Sequence, residues 1–418
     1  MKIAMLGTRG VPATYGGVEH HVEQVGRRLV ERGHQVTVFT QSEYAGEQPG
    51  GRIAEHLGMG VVTLPTVRAH GLEALAHSAM STMHGLGHGH DVFHYHAVGP
   101  GLMAPLARMS SRTAIVQTVH GLDADRAKWG GGARQVLSLA TWMSARVPDR
   151  TVTVSQTLAD HYRTRYERDA TYVPNGVNPK SSRAPREITE RWGLRGQDYV
   201  LFVGRLVPEK CPDELIKAYR QLRTDQKLVI AGGSSHTDEY VAELERLAAD
   251  DPRVILTGYV YGDVLDELFT NATVFVQPSA LEGLPLTLLE AMGGGVPVVV
   301  SDIAPHLEIV GEDRPGARVF EQGDAESLRG AIRRALFWPS HERMSAVRLR
   351  DAVLGTYDWD ACTDRLETVY VDAVEEVSRR RVRRGLAPHP AARTATTLTL
   401  TGPVRATRSR RSTERLSA

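Results

Sequence analysis

Two successive runs of short apolar segments, each alternating with helical periodicity, constrain this chain more than any other feature. The first run starts at once. Residues 2–6 form a strand-length apolar stretch that ends at Gly7. Val18, Val22, Val25 and Leu29 then repeat at helical spacing, with Gly33 placed to close the helix. Strands are expected at 36–39, 61–64, 91–95, 113–119 and 151–154, and helices near 72–84 and 133–145. Ser155 is placed to cap a helix running to about residue 166. A second run gives strands at 199–203, 227–231, 254–256, 274–277 and 296–300, with a helix around 238–249. Strands that are apolar on both faces and separated by helices predict parallel, doubly wound sheets. The expected class is therefore α/β, with two Rossmann-like domains of similar size.

The chain has 418 residues, enough for two full cores. Residues 178–197 break the alternation with Pro, Ser, Arg and Gly, which places a linker between domains at 1–177 and 198–357. A helical stretch at 358–378 follows, and then an Arg-rich segment, 379–418, of disordered composition. The net charge of +1 hides an asymmetry. Residues 379–418 hold 11 of the 50 basic residues and one of the 49 acids, so the preceding body is acidic, with 39 basic against 48 acidic groups. The basic segment reads first as a solvated extension; second, its run 379–384 suits contact with an anionic membrane surface, and the lack of interleaved aromatics places nucleic acid last. Two cysteines, Cys211 and Cys362, make neither a disulfide framework nor a metal spacing, which fits a reducing cytoplasm. No leader pattern opens the chain, and no apolar stretch approaches the ~20 residues needed to span a bilayer. Any membrane association is expected to be peripheral.

Chemistry concentrates in a few motifs. Glu282-Gly283-Leu284-Pro285-Leu286-Thr287-Leu288-Leu289-Glu290 places two carboxylates around a turn and a helix start. Pro285 suits a first helical turn, and Leu288, Ala291 and Met292 would face the core. Glu282 would then stand beside the backbone N–H groups of Gly283 and Leu284 at a helix N-terminus, a suitable place for a ligand bearing hydroxyls and phosphate. Upstream, Gly204-Arg205-Leu206-Val207-Pro208-Glu209-Lys210 ends an apolar strand with two cations at the strand end, where ligands of parallel sheets bind. Arg205 can grip two phosphate oxygens and Lys210 can act as a point charge. Gly16-Gly17 precede the first helix and allow a close backbone approach, but their spacing from Gly7 is not a dinucleotide fingerprint. His120 and His96 each end a strand. Seven histidines crowd residues 70–96 without zinc-ligand spacing, so no metal site is expected.

In order and spacing, these motifs resemble the retaining glycosyltransferases of family four, which have the GT-B fold. The resemblance covers about residues 1–378. The segment from Gly7 through Gly16-Gly17-Val18-Glu19, His120-Gly121-Leu122-Asp123, Arg126 to Gly130, and Val173-Pro174-Asn175-Gly176-Val177 resemble a rhamnosyltransferase-like bacterial branch. The resemblance implies a central cleft with an acceptor side and a donor side. Arg205 and Lys210 would hold the diphosphate, Glu290 the ribose, and Glu282 the transferred sugar, with Gly16, Gly17, Gly283 and Leu284 lining the donor site. His120 would touch the donor sugar from the acceptor side, with His96 and Asp123 in the acceptor cleft. The implied partners are a nucleotide-diphosphate sugar and a sugar, lipid-linked or small-molecule acceptor, with no cofactor and no metal. The product would be an exopolysaccharide or another envelope glycan. The final helical stretch would cross back onto the first domain. One departure is that Ser301-Asp302-Ile303-Ala304-Pro305-His306-Leu307-Glu308 lacks the glycines usual before the Pro-Glu pair. Rival readings are another GT-B enzyme, such as an epimerase, or a non-catalytic docking protein.

Overall fold

The structure is a computed structural model that describes residues 1–14, 16–46, 53–65, 73–122, 131–235 and 237–392. Its strands form two sheets. The first contains β1 (Lys2–Leu6), β2 (Gln35–Gln41), β3 (Glu55–His56), β4 (Met59–Leu64), β5 (Val92–His96), β6 (Ala114–Val119), β7 (Arg150–Thr153) and β8 (Thr171–Tyr172). Their order is β3-β4-β2-β1-β5-β6-β7-β8, parallel except for the β3–β4 edge pair. The second contains β9 (Tyr199–Val203), β10 (Lys227–Ala231), β11 (Val254–Gly258), β12 (Val274–Gln277), β13 (Val298–Ser301) and β14 (Ala317–Phe320), in the order β11-β10-β9-β12-β13-β14 and parallel throughout. Central strands β1, β5, β6, β9 and β12 are buried along nearly their whole length. That explains their unbroken apolar runs.

Helices cover both faces of each sheet. Gly17–Glu31 packs Val22, Val25 and Leu29 into the first core, and Ser155 Oγ accepts from Leu158 N to cap Gln156–Tyr166. The two-residue strands β3 and β8 have too little apolar sequence to be recognised, and form because a neighbouring strand offers them a partner.

Two boundaries differ from the sequence expectation. The stretch 178–197 is not all linker: it contains the helix Glu187–Trp192, whose Ile188, with Leu194 beyond it, is buried in the second core. The last helix, Trp359–Arg383, runs past residue 378 and lies against the first sheet, burying Trp359, Leu366, Val369, Tyr370, Ala373, Val374 and Val377 there. The arginines at 380 and 381, expected to begin a disordered tail, are tied inward. Arg380 pairs with the buried carboxylate of Asp149, and Arg381 donates to Ser111 Oγ at 3.1 Å and to Ala387 O at 2.8 Å. A buried acid at the foot of β7 holds Arg380, which composition alone cannot show, while Arg379, Arg383 and Arg384 of the same run stay exposed. Residues 393–418 lie outside the described set. Among the described residues, no helix is long and apolar enough to cross a membrane.

Candidate active site

The carboxyl ends of both sheets face one another across a cleft of about 370 Å³. One wall comes from the first domain: Gly16, Gly17, Glu19, Ala97, His120 and Asn175. The other comes from the second: Gly204, Arg205, Glu209, Lys210 and residues 281–287. The walls touch. A Cβ built on Gly283 would lie 1.8 Å from the carbonyl oxygen of His120, and one on Gly17 would lie 3.2 Å from Leu286 Cδ1. Glycine at 283 therefore lets the donor-side turn rest on the backbone of the opposite domain. Glu308, in the Ser301–Glu308 stretch that departs from the family pattern, also bridges the domains. Its carboxylate accepts from Gln156 N at 2.8 Å and Thr157 N at 3.1 Å, at the N-terminus of the helix Gln156–Tyr166.

Glu282 is the electrostatic centre. Its Oε1 accepts from Lys210 Nζ at 2.7 Å, Gln277 Nε2 at 2.7 Å and Ser279 Oγ at 2.8 Å. Burial raises its pKa, but the Lys210 charge, His306 and the hydrogen bonds from Lys210 and Ser279 outweigh that and hold it at about 2. Glu282 is therefore a fixed anion that orients the Lys210 ammonium. Sequence reasoning did not single out Gln277, Ser279 or His306. His306 is buried on the Ser301 hydroxyl, and its pKa is pushed down to about 4 chiefly by burial. Pro285 is the cap residue before the helix Leu286–Gly293 rather than a residue of its first turn. Leu288, Leu289, Ala291 and Met292 are buried. Glu290 lies a turn beyond the cleft wall, with Oε1 4.0 Å from Lys180 Nζ, which is itself bound to Asp266 at 2.6 Å.

Glu209 was also passed over, as the anion between two cations. Its side chain lines the cleft, and both carboxylate oxygens are buried with no hydrogen-bond partner among the described residues. Glu19 accepts from Arg9 N at 3.0 Å and Thr8 Oγ1 at 3.3 Å, which pins the loop before Gly16.

On the first-domain wall, His120 lines the cleft but His96 does not. His96 ends β5, one of the central strands, and is wholly buried behind His120, with its Nδ1 3.3 Å from His120 Nε2. Ala97, held at φ 68°, takes the surface position expected of His96. His21 completes a trio, with its ring centroid 5.5 Å from that of His96 and 5.0 Å from that of His120. Asn175 Oδ1 accepts from His21 Nδ1 at 2.7 Å, so Nε2 carries no proton and, among the described residues, has no partner, as is true of Nε2 of His96. Burial lowers the pKa of His21 to about 4 and that of His96 well below its ordinary value. Each of the three rings places a nitrogen within 4.8 Å of the others, the only grouping of metal-ligand type found among the described residues. No carboxylate or thiolate joins it, and of the crowd at 70–96 that the sequence displays only His96 belongs to it. Asp123, Arg126, Lys128 and Trp129 lie outside the described residues.

The two halves match separate family models. Residues 15–181 match "Glycosyltransferase Family 4" and residues 186–346 match "Glycosyl transferases group 1". The D-inositol 3-phosphate glycosyltransferase of Geodermatophilus obscurus is 30% identical over 403 residues, covering 87% of this chain and 86% of its own. The chain belongs to glycosyltransferase family four. The GDP-mannose-dependent alpha-(1-6)-phosphatidylinositol monomannoside mannosyltransferase of Mycobacterium tuberculosis is a more distant relative of this glycosyltransferase, 25% identical over 88% of the chain and 97% of its own length. Among solved structures, sucrose-phosphate synthase from Thermosynechococcus elongatus superposes with a TM-score of 0.75 at 22% identity, covering 88% and 98% of the two chains. Anabaena HepE, solved with UDP and glucose, superposes at 0.73 with 18% identity over 88% and 99%. These establish the GT-B architecture, and the protein is a transferase.

Proposed function

We propose that this glycosyltransferase takes a nucleotide-diphosphate sugar and transfers the sugar, with retention of configuration, to an acceptor hydroxyl in an envelope or extracellular glycan. The observation that carries this is the Lys210–Glu282 pair, set with Arg205 at the carboxyl ends of the second sheet and facing His120 across the cleft. Arg205 and Lys210 aim positive charge at a diphosphate whose negative charge grows as the sugar–oxygen bond breaks. Glu282 accepts hydrogen bonds from the sugar's hydroxyls while holding Lys210 in place, and Glu290 meets the ribose. Gly16, Gly17 and the N–H groups of Gly283 and Leu284 approach the phosphates closely. Transfer breaks the bond from the anomeric carbon to the diphosphate oxygen and forms the bond to the acceptor oxygen on the same face. The departing phosphate takes the acceptor proton, so no protein base is needed. With two protein cations at the phosphates, no metal is required. Domain contact through Gly283 and His120 excludes water from the site.

The test is calorimetric binding of UDP, GDP, ADP and dTDP and their common sugars, including dTDP-rhamnose, with and without EDTA, to wild type and Arg205→Ala. Tight, EDTA-insensitive binding of one nucleotide that is lost in Arg205→Ala is the expected result. A folded protein that binds none of them, or binds equally well without Arg205, refutes the donor-site assignment.

A further inference from the structure

We infer that the solvent face of the helix Gly131–Arg146 is a docking surface for an anionic lipid bilayer. This does not depend on the proposed reaction. The helix is amphipathic in an unusual sense. Its inner side packs Ala140, Ala145 and the partly buried Leu137 into the cluster with Val98, Val119 and Tyr162. Its outer side should then be polar, but it exposes Val136 (49%), Leu139 (52%) and Trp142 (49%). At 100° per residue these three fall within a 120° sector, so they form one stripe along the helix. Arg146, also exposed, falls in the same sector at the C-terminal end of the helix, whereas the exposed Arg134 lies outside it at the N-terminal end.

Charge identifies the occupant. The helix has no acidic residue and two arginines, Arg134 and Arg146, and the sequence just before it, 123–130, is balanced, with Asp123 and Asp125 against Arg126 and Lys128. The acid that follows the helix, Asp149, is buried and already bound by Arg108 and Arg380. Elsewhere the body of the chain is net acidic, so this segment departs locally from its surroundings. A half-exposed apolar stripe with a tryptophan, edged by arginine and free of carboxylates, matches a helix lying in the headgroup plane of an anionic membrane. A protein partner of ordinary acidic character would place its carboxylates against apolar side chains. Of the run 379–384 that the sequence offers for membrane contact, Arg380 and Arg381 are tied inward while Arg379, Arg383 and Arg384 stay exposed without an apolar stripe beside them as long as that on Gly131–Arg146.

The topology gives the contact a consequence. In a parallel α/β unit the helix after a strand starts at the strand's carboxyl end, which here is the cleft side of β6, where His120 sits. A bilayer along Gly131–Arg146 would therefore bring the first-domain wall of the cleft toward lipid headgroups.

The test is co-sedimentation of the full chain with phosphatidylcholine vesicles containing 0 or about 30% phosphatidylglycerol, at low and high salt. Wild type is compared with Leu139→Glu/Trp142→Glu and with Trp142→Phe. The expected results are salt-sensitive binding to the anionic vesicles only, and a fall of about tenfold or more in the double variant, from loss of two buried apolar groups. Brominated lipid should quench emission of wild type more than that of Trp142→Phe. Melting curves check that these exposed substitutions leave the fold intact. Absence of wild-type binding overturns the inference. So does undiminished binding by the double variant, which would place contact on another surface, first the basic C-terminal segment. A concentration-dependent dimer lost in the double variant, without lipid binding, also overturns it by making the stripe an interface between copies.

Discussion

Replacing Gly283 with Ala tests whether contact between the domains assembles the site. The new Cβ would stand 1.8 Å from His120 O and 2.8 Å from its carbonyl carbon, both backbone atoms that no rotamer change can move. A carbon against a carbonyl oxygen needs about 3.3 Å, so the two walls must part locally by about 1.5 Å. Arg205, Lys210 and Glu282 all lie on the side of Gly283, so a nucleotide should still bind within a few-fold of wild type. His120 lies on the other side, and its reach to the sugar is what the separation spoils. A misplacement of about 1 Å costs on the order of 10²-fold in rate, so kcat/KM should fall by roughly that factor, mostly in kcat, with little change in melting temperature. The control is Gly355→Ala, where a Cβ meets nothing within 4 Å and the position is helical. It should leave activity unchanged. If Gly283→Ala keeps activity within a few-fold of wild type, contact of the Gly283 turn with His120 is irrelevant to turnover.

Three further outcomes are expected. Lys210→Met should lower kcat/KM by about 10²–10³-fold and destabilise the protein by leaving the Glu282 carboxylate short of its counter-charge. Lys210→Met combined with Glu282→Gln should recover much of that stability in a denaturant titration but none of the activity. Stability should fall on acidification from about pH 6.5 toward 4. His21 and His306 have folded pKa values lowered to about 4, so the unfolded chain takes up their protons first, and each costs on the order of 3 kcal/mol once fully titrated. His21→Asn should flatten that slope. Glu282, depressed to about 2, adds a loss only below about pH 4.5. Trp359→Ala, which removes a wholly buried ring where the last helix meets the first sheet, should cost about 3–5 kcal/mol in chemical denaturation.

The alternation of apolar runs with helical spacing determined both sheets, because strands buried on two faces leave a signal that needs no context. Gly16, Gly17, Arg205, Lys210, Glu282 and Gly283 were legible for a related reason: motif spacing at strand ends fixes which side chains reach the cleft. Everything that depends on a partner distant in sequence was decided only by the tertiary structure. His96 and His120 look alike in sequence, each ending a strand, yet one is buried behind the other, because β5 is flanked by strands on both sides and covered by the first and last helices. Gln277, Ser279 and His306 gather on Glu282, and Glu209 buries both carboxylate oxygens beside the cleft without a hydrogen-bond partner among the described residues, none of which the spacing of the motifs shows. The composition of the basic run after residue 378 predicts solvent exposure, which holds for Arg379, Arg383 and Arg384, but Arg380 is tied to a buried aspartate more than 200 residues upstream and Arg381 to Ser111. Local periodicity and turn chemistry are written in neighbouring residues, whereas burial, pairing and pKa are set by which surfaces the two domains bring together.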